Sequence, residues 1–118
     1  MKPASFDHLL PTSLHEALEM LNTHAPDARP LAGGQSLVPM MNFRLARPTV
    51  LVDLNRISDL AYISDAGDHL AIGAMTRERT IENSGLVRTA TPLLYDATLH
   101  IGHLPIRSRG TIGGSLSN

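Results

Sequence analysis

An α/β fold is predicted, and three stretches carry the prediction. Ser13 to Thr23 has helical apolar spacing behind a capping pair. Thr49-Val50-Leu51-Val52-Asp53-Leu54 is a continuous apolar, β-branched run, the form of a strand covered on both faces. Between them, Arg29-Pro30-Leu31-Ala32 delivers the chain to Gly33-Gly34, so paired glycines end one strand and precede a segment of helical character. Strand, helix, strand in that order is the pattern of an α/β lobe.

Taken in order, Ala4 to Leu10 reads as a short edge strand ended by Pro11. Ser13 with Glu16 fits a capping box. Leu14, Ala17, Leu18 and Leu21 then share one helical face, and the helix stops before Pro26. Ala28 to Ala32 is the next strand, and Ser36 to Leu45 is a short helix that tolerates Pro39 only in its first turn. After the Thr49–Leu54 strand, Ile57 to Leu60 forms one helical turn. Tyr62–Ser64 and His69–Ala74 pair as a hairpin across Asp65-Ala66-Gly67-Asp68. A helical stretch from Thr76 to Asn83 is interrupted at Ser84-Gly85, and Leu86 to Thr89 adds a turn. Pro92 to His100 carries Leu93, Leu94, Ala97 and Ile101 on one face and ends at a Gly102 cap. Pro105 to Arg109 then leads into a second glycine loop, Gly110-Thr111-Ile112-Gly113-Gly114-Ser115. There is no internal repeat.

Length and composition narrow the function. The chain has 118 residues, 42% hydrophobic and 18% charged, with 10 basic and 11 acidic side chains. A net charge of -1 gives no electrostatic case for nucleic acid, and Arg107 with Arg109 is the one local basic pair beside a candidate site. Absence of cysteine excludes disulfides, a catalytic thiol and a thiolate-held iron–sulfur cluster within these residues, and fits a reducing cytoplasm. No apolar run reaches the length of a membrane span, and the start is unlike a secretory signal. The sequence stops at Asn118 just after a Gly-Gly motif, which reads as a fragment of a longer polypeptide.

The two glycine motifs are the candidate site. Gly33 and Gly34 lack Cβ atoms, so the backbone is free to take φ > 0 and turn its N–H groups toward an anion. Ser36, Thr111 and Ser115 place hydroxyls beside the glycines, a pairing that suits a diphosphate held between two loops. Taken singly, each motif reads more readily as a tight turn, since glycine turns outnumber phosphate loops. Neither matches Gly-x-Gly-x-x-Gly or supplies the lysine of a Walker loop, so Rossmann and P-loop nucleotide binding are disfavoured. Ser36 lies outside Gly-x-Ser-x-Gly and has no identifiable base, which argues against a hydrolase. His100 and His103 give two potential metal ligands where zinc needs three or four, so no metal is assigned. Arg77, Glu78 and Arg79 read as a solvated helical face, and Met40, Met41 and Phe43 as core.

Ala32-Gly33-Gly34-Gln35-Ser36-Leu37-Val38-Pro39, with Ile101-Gly102-His103 and Ile106-Arg107-Ser108-Arg109-Gly110-Thr111-Ile112-Gly113-Gly114-Ser115-Leu116, resembles the FAD-binding subunit of molybdenum hydroxylases. That family includes the carbon monoxide dehydrogenase medium subunit and the flavin domain of xanthine dehydrogenase. The resemblance covers nearly the whole chain. It implies an α/β (α+β) architecture: a small βαβ-type lobe over 1–55 of a two-lobed PCMH-type FAD-binding domain, then the start of an antiparallel-sheet lobe over 56–118. FAD lies between the lobes of such a domain. By the same resemblance Ala32, Gly33, Gly34, Gln35 and Ser36, extending through Leu37 and Val38 to Pro39, hold the FAD diphosphate through backbone amides and the Ser36 hydroxyl. Thr111, Ile112, Gly113, Gly114 and Ser115 clamp the same cofactor from the second lobe, and Ile101 packs near the flavin ring.

Two residues depart from the family pattern: Ser108 stands where Asn is frequent, and Pro105 stiffens the approach to the second motif. After Ser-Asn the family continues with an Ala-Asp-Pro-like segment that helps bind the nucleotide. The resemblance implies an electron relay. A molybdenum-cofactor large subunit oxidises the substrate, a 2Fe-2S small subunit carries the electrons, and FAD passes them to an acceptor such as quinone, NAD or oxygen. No acid, base or nucleophile of this chain is needed, so no catalytic residue is assigned. The other readings are a non-catalytic interaction fragment that keeps only the fold, and another PCMH-type flavin oxidase, although the His and Cys of covalent flavin attachment have no evident counterpart.

Overall fold

Strand β3, Val50–Asp53, is buried along its whole length. The computed structural model describes residues 1–117; Asn118, where the sequence suggests a fragment, lies outside the described residues. Val50, Leu51 and Val52 fill the middle of a three-stranded sheet in the order β1-β3-β2, flanked by β1 (Asp7–Leu9) and β2 (Ala28–Leu31). Burying each of these apolar side chains stabilises the sheet by about 1.5–3 kcal/mol. Both pairings are parallel, with Asp7 and Ala28 opposite Val50, and Leu31 opposite Asp53. Parallel neighbours require crossover connections, and two helices lie in them: α1 (Leu14–Thr23) and α2 (Leu37–Asn42). Pro30, which has no N–H to give a ladder, sits on an outer strand, where that loss is tolerated.

Helix α1 starts at the expected cap: Ser13 Oγ accepts from the Glu16 amide at 3.1 Å. The Glu16 carboxylate reaches back one residue further than a standard capping box, to the Thr12 amide at 3.0 Å. Its apolar face is rotated from expectation. Ala17 is buried and Met20 and Leu21 are half-buried, whereas Leu14 and Leu18 are exposed. Helix α2 is shorter than the Ser36–Leu45 stretch expected because Arg44, at φ 58°, closes it in the left-handed conformation. Leu45 N–H bonds to Met40 O at 2.8 Å and Arg44 N–H to Met41 O at 2.9 Å, a Schellman motif. Of the methionine and phenylalanine cluster expected in the core, Met41 is buried but Met40 and Phe43 face outward.

The chain divides into two compact units, Met1–Asp59 and Leu60–Asn118. The second opens with the expected antiparallel hairpin, β4 (Ile63–Asp65) and β5 (Leu70–Ile72), turned at Gly67. Five short helices follow: α3 (Glu78–Glu82), α4 (Gly85–Ala90), α5 (Pro92–Leu99), α6 (Leu104–Arg109) and α7 (Ile112–Ser117). Ser84 caps α4 by accepting from the Val87 amide, which is why the Ser84-Gly85 break starts a new helix.

Three expectations are corrected here. Helix α5 ends at a His100 cap, before Gly102, and it buries Thr98 while Leu93 is exposed. Pro105 falls in the first turn of α6, so the stretch expected as a lead-in is helical, a position that suits a residue without an N–H. Glu78, expected on a solvated face, is only 2% exposed.

Candidate functional site

The first glycine motif lies at the carboxyl end of β2. Gly34 takes φ 77°, and a Cβ there would sit 3.0 Å from Val38 Cγ2, so the position requires glycine for both conformation and space. The turn returns the chain into α2 through Val38 N–H to Gly34 O at 3.1 Å. Ser36 stands at the cap of α2, yet its side chain makes no capping hydrogen bond. Gln35, Ser36, Val38 and Pro39 are exposed; Ala32, Gly33, Gly34 and Leu37 are half-buried.

A polar relay fixes this turn from below. Asp53, ending β3, accepts on Oδ2 from His8 of β1 at 2.7 Å and on Oδ1 from the Asn55 main-chain and side-chain amides at 2.9 and 2.6 Å. Asn55 also donates from Nδ2 to Ala32 O at 2.9 Å, and Leu54 N–H bonds to Leu31 O at 3.0 Å. Thus the carboxyl ends of all three strands are tied to the residue that enters the Gly-Gly turn. Burial pushes the Asp53 carboxyl up, but the hydrogen bonds from Asn55 and His8, with the His8 charge, hold it below its ordinary value. His8, Asp53 and Asn55 were missed in the sequence. A polar Asp closing an apolar strand run was the one available signal.

The second motif is built differently from the open loop expected. Thr111 is buried and forms a bridge with Arg77, and residues from Ile112 onward enter α7. Ile112 N–H bonds to Thr76 O at 3.1 Å, Gly113 N–H to Ala74 O at 2.8 Å, Gly114 N–H to Thr111 Oγ1 at 3.1 Å and Ser115 N–H to Thr111 O at 3.1 Å. These amides are occupied by acceptors of the chain itself, so they do not form a free donor array. Gly113 is required by packing: a Cβ there would lie 2.7 Å from Ala74 O. Ser115 Oγ donates to Glu78 Oε1, while Glu78 Oε2, buried against Gly110, has no hydrogen-bond partner among the described residues.

Ile101, half-buried, lies in the turn between α5 and α6. Nearby, Glu82 Oε1 accepts from Arg79 at 2.8 Å and from Arg107 at 3.2 Å. The Arg79 hydrogen bond, joined by that of Arg107, outweighs burial and lowers the Glu82 carboxyl. His103 caps α6 by position only, and among the described residues no group of three or more His, Cys, Asp or Glu is placed to hold a metal. Among them, too, no helix is long and apolar enough to cross a membrane.

The family model of the FAD binding domain in molybdopterin dehydrogenase matches residues 4–118. The chain belongs to that family. It is 44% identical over 118 residues to the caffeine dehydrogenase subunit beta of Pseudomonas sp. (strain CBB1), covering 100% of this chain and 40% of that protein. It is 43% identical to the carbon monoxide dehydrogenase medium chain of Afipia carboxidovorans, covering 100% of this chain and 41% of that one. Among solved structures, reconstituted CO dehydrogenase from Oligotropha carboxidovorans superposes with a TM-score of 0.98 at 43% identity, over 100% of this chain and 41% of that chain. The chain therefore spans about 40% of the length of the curated relatives it matches. These relatives are subunits of dehydrogenases, and the mixed α/β fold expected from the sequence is theirs. Membership in the molybdopterin dehydrogenase family makes FAD the cofactor. The Gly34 turn, with its uncommitted Ser36 hydroxyl, fits a phosphate-bearing group.

Proposed function

We propose that the chain supplies the FAD-binding region of the flavin subunit of a molybdenum-hydroxylase-type oxidoreductase. The observation that carries this reading is the Gly34 turn at the carboxyl end of a parallel strand, the edge at which open α/β sheets take ligands. Ala32 to Ser36, continuing to Pro39, bind the diphosphate through the turn backbone and the Ser36 hydroxyl. Asp53 and Asn55 orient that turn. In the second unit, Thr111 to Ser115 contribute an edge at Gly114 and Ser115, and Ile101 packs beside the flavin ring. We also assign the first lobe to residues 1–55 and the start of the second to 56–118.

When bound, FAD takes up electrons from iron–sulfur clusters and yields them to an external acceptor such as quinone, NAD or oxygen. The residues of this chain bind and orient the cofactor, and none transfers a proton. Cluster thiolates come from outside these residues, since the sequence has no cysteine. The proposed partners are a molybdenum-cofactor large subunit and a 2Fe-2S small subunit, assembled in the cytoplasm. Titration of the chain with FAD, followed by flavin fluorescence, is expected to show saturable uptake in which ADP competes and riboflavin does not. Absence of uptake, or equal competition by riboflavin, would remove the diphosphate role.

A further inference from the structure

Arg107 of α6 is a nearly buried cation, its side chain 12% exposed. Its Nη1 faces three main-chain oxygens: Leu99 O at 3.3 Å, Ile101 O at 3.2 Å and Gly102 O at 3.3 Å. One nitrogen with two hydrogens cannot make three full bonds, so the carbonyls share it as a ring of dipoles around the charge. They belong to the end of α5 and the turn after it, where a helix leaves carbonyls without intrahelical partners and a cation is favoured. On its other side, Arg107 Nε donates to Glu82 Oε1 at 3.2 Å, so α3 holds the guanidinium in place. Glu82 is steadied in turn by Arg79 at 2.8 Å. Gly102, at φ 49°, reverses the chain between this turn and α6.

We infer that Arg107 is the positioning residue for the Leu99–Gly102 turn and, through it, for Ile101 against the flavin ring. The flavin half of this statement rests on the function proposed above; the tether does not. Lysine cannot replace arginine here, because an ammonium on a flexible stem lacks the planar fork that spans a carboxylate and several carbonyls at once.

The test compares the chain with Arg107→Met and Arg107→Lys. In amide hydrogen exchange without cofactor, the segment from His100 to His103 is expected to exchange at least about tenfold faster in both variants, with β4, β5 and α4 unchanged. Unchanged protection in that segment would overturn the tether. If Arg107→Met fails to fold, Arg107→Lys, which keeps the charge against Glu82, decides the matter alone. With FAD bound, the variants are expected to shift the flavin absorption bands and midpoint potential while changing affinity less than about threefold, since the partners of Arg107 are Glu82, Leu99, Ile101 and Gly102 and none belongs to the Ala32–Ser36 turn. An unaltered spectrum and potential would overturn the flavin half. Failure of the unsubstituted chain to take up FAD would instead count against the proposed function and overturn the flavin half with it, and the exchange measurement would still decide the tether.

Discussion

Asn55 donates to the carbonyl of Ala32 at 2.9 Å, joining the segment after the central strand to the entrance of the Gly-Gly turn 23 residues earlier. The same side chain holds Asp53, so one amide couples the sheet to the turn. Asn55→Ala removes both bonds and leaves Asp53 with fewer donors. A loss of about 1–3 kcal/mol in stability is expected, together with weaker FAD uptake. Urea denaturation and FAD titration measure the two effects. Equal affinity in a folded variant would separate the relay from the cofactor.

Gly34 adopts a conformation that costs other residues about 1–2 kcal/mol. Gly34→Ala also brings a methyl to 3.0 Å from Val38 Cγ2. The variant is expected to lose stability by that amount and to bind FAD at least tenfold more weakly, about 1.4 kcal/mol. Unchanged affinity would remove the turn from the site.

Gly113 serves packing. Gly113→Ala places a methyl 2.7 Å from a backbone oxygen, which cannot retreat as a flexible side chain can. Destabilisation of about 1–3 kcal/mol is expected in chemical denaturation. A neutral substitution would contradict the close approach of α7 to Ala74.

The pH dependence follows from Asp53. Its carboxyl lies below its ordinary value in the folded chain, so the folded state favours the charged form. The stabilisation is fully present above the unfolded value, ~3.9, and is lost as pH falls through the lower folded value. Asp53→Asn is therefore expected to be less stable than the parent at pH 7, with the gap closing on acidification below about pH 4. Denaturation midpoints across that range test this, and a gap that widens in acid contradicts the sign.

What the sequence made legible divides along physical lines. Local signals were readable: the Ser13 cap, the Val50–Asp53 run and the Gly67 turn each depend on residues close in the chain. Faces were less so. Of the expected stripe Leu14, Ala17, Leu18 and Leu21 of α1, Ala17 is buried and Leu21 half-buried, whereas Leu14 and Leu18 are exposed. Much of the chemistry hidden from the sequence is long-range: His8 meets Asp53 across 45 positions, and Ser115 meets Glu78 across 37. Glu78 sat in a charged triplet that reads as solvated, and no local pattern marks which charge turns inward. The second glycine motif is folded into α7 and is not an open loop, for a related reason. Its glycines permit contact with Ala74, and its amides are taken by Thr76, Ala74 and Thr111.

On the function proposed above, the Ala32–Ser36 turn receives the cofactor's diphosphate. Backbone amide shifts of the isotopically labelled chain, recorded during FAD titration, report on that contact residue by residue. The largest shifts are expected at Gly33, Gly34, Gln35 and Ser36, reproduced by ADP alone. FAD binding that leaves those four amides unmoved would contradict it.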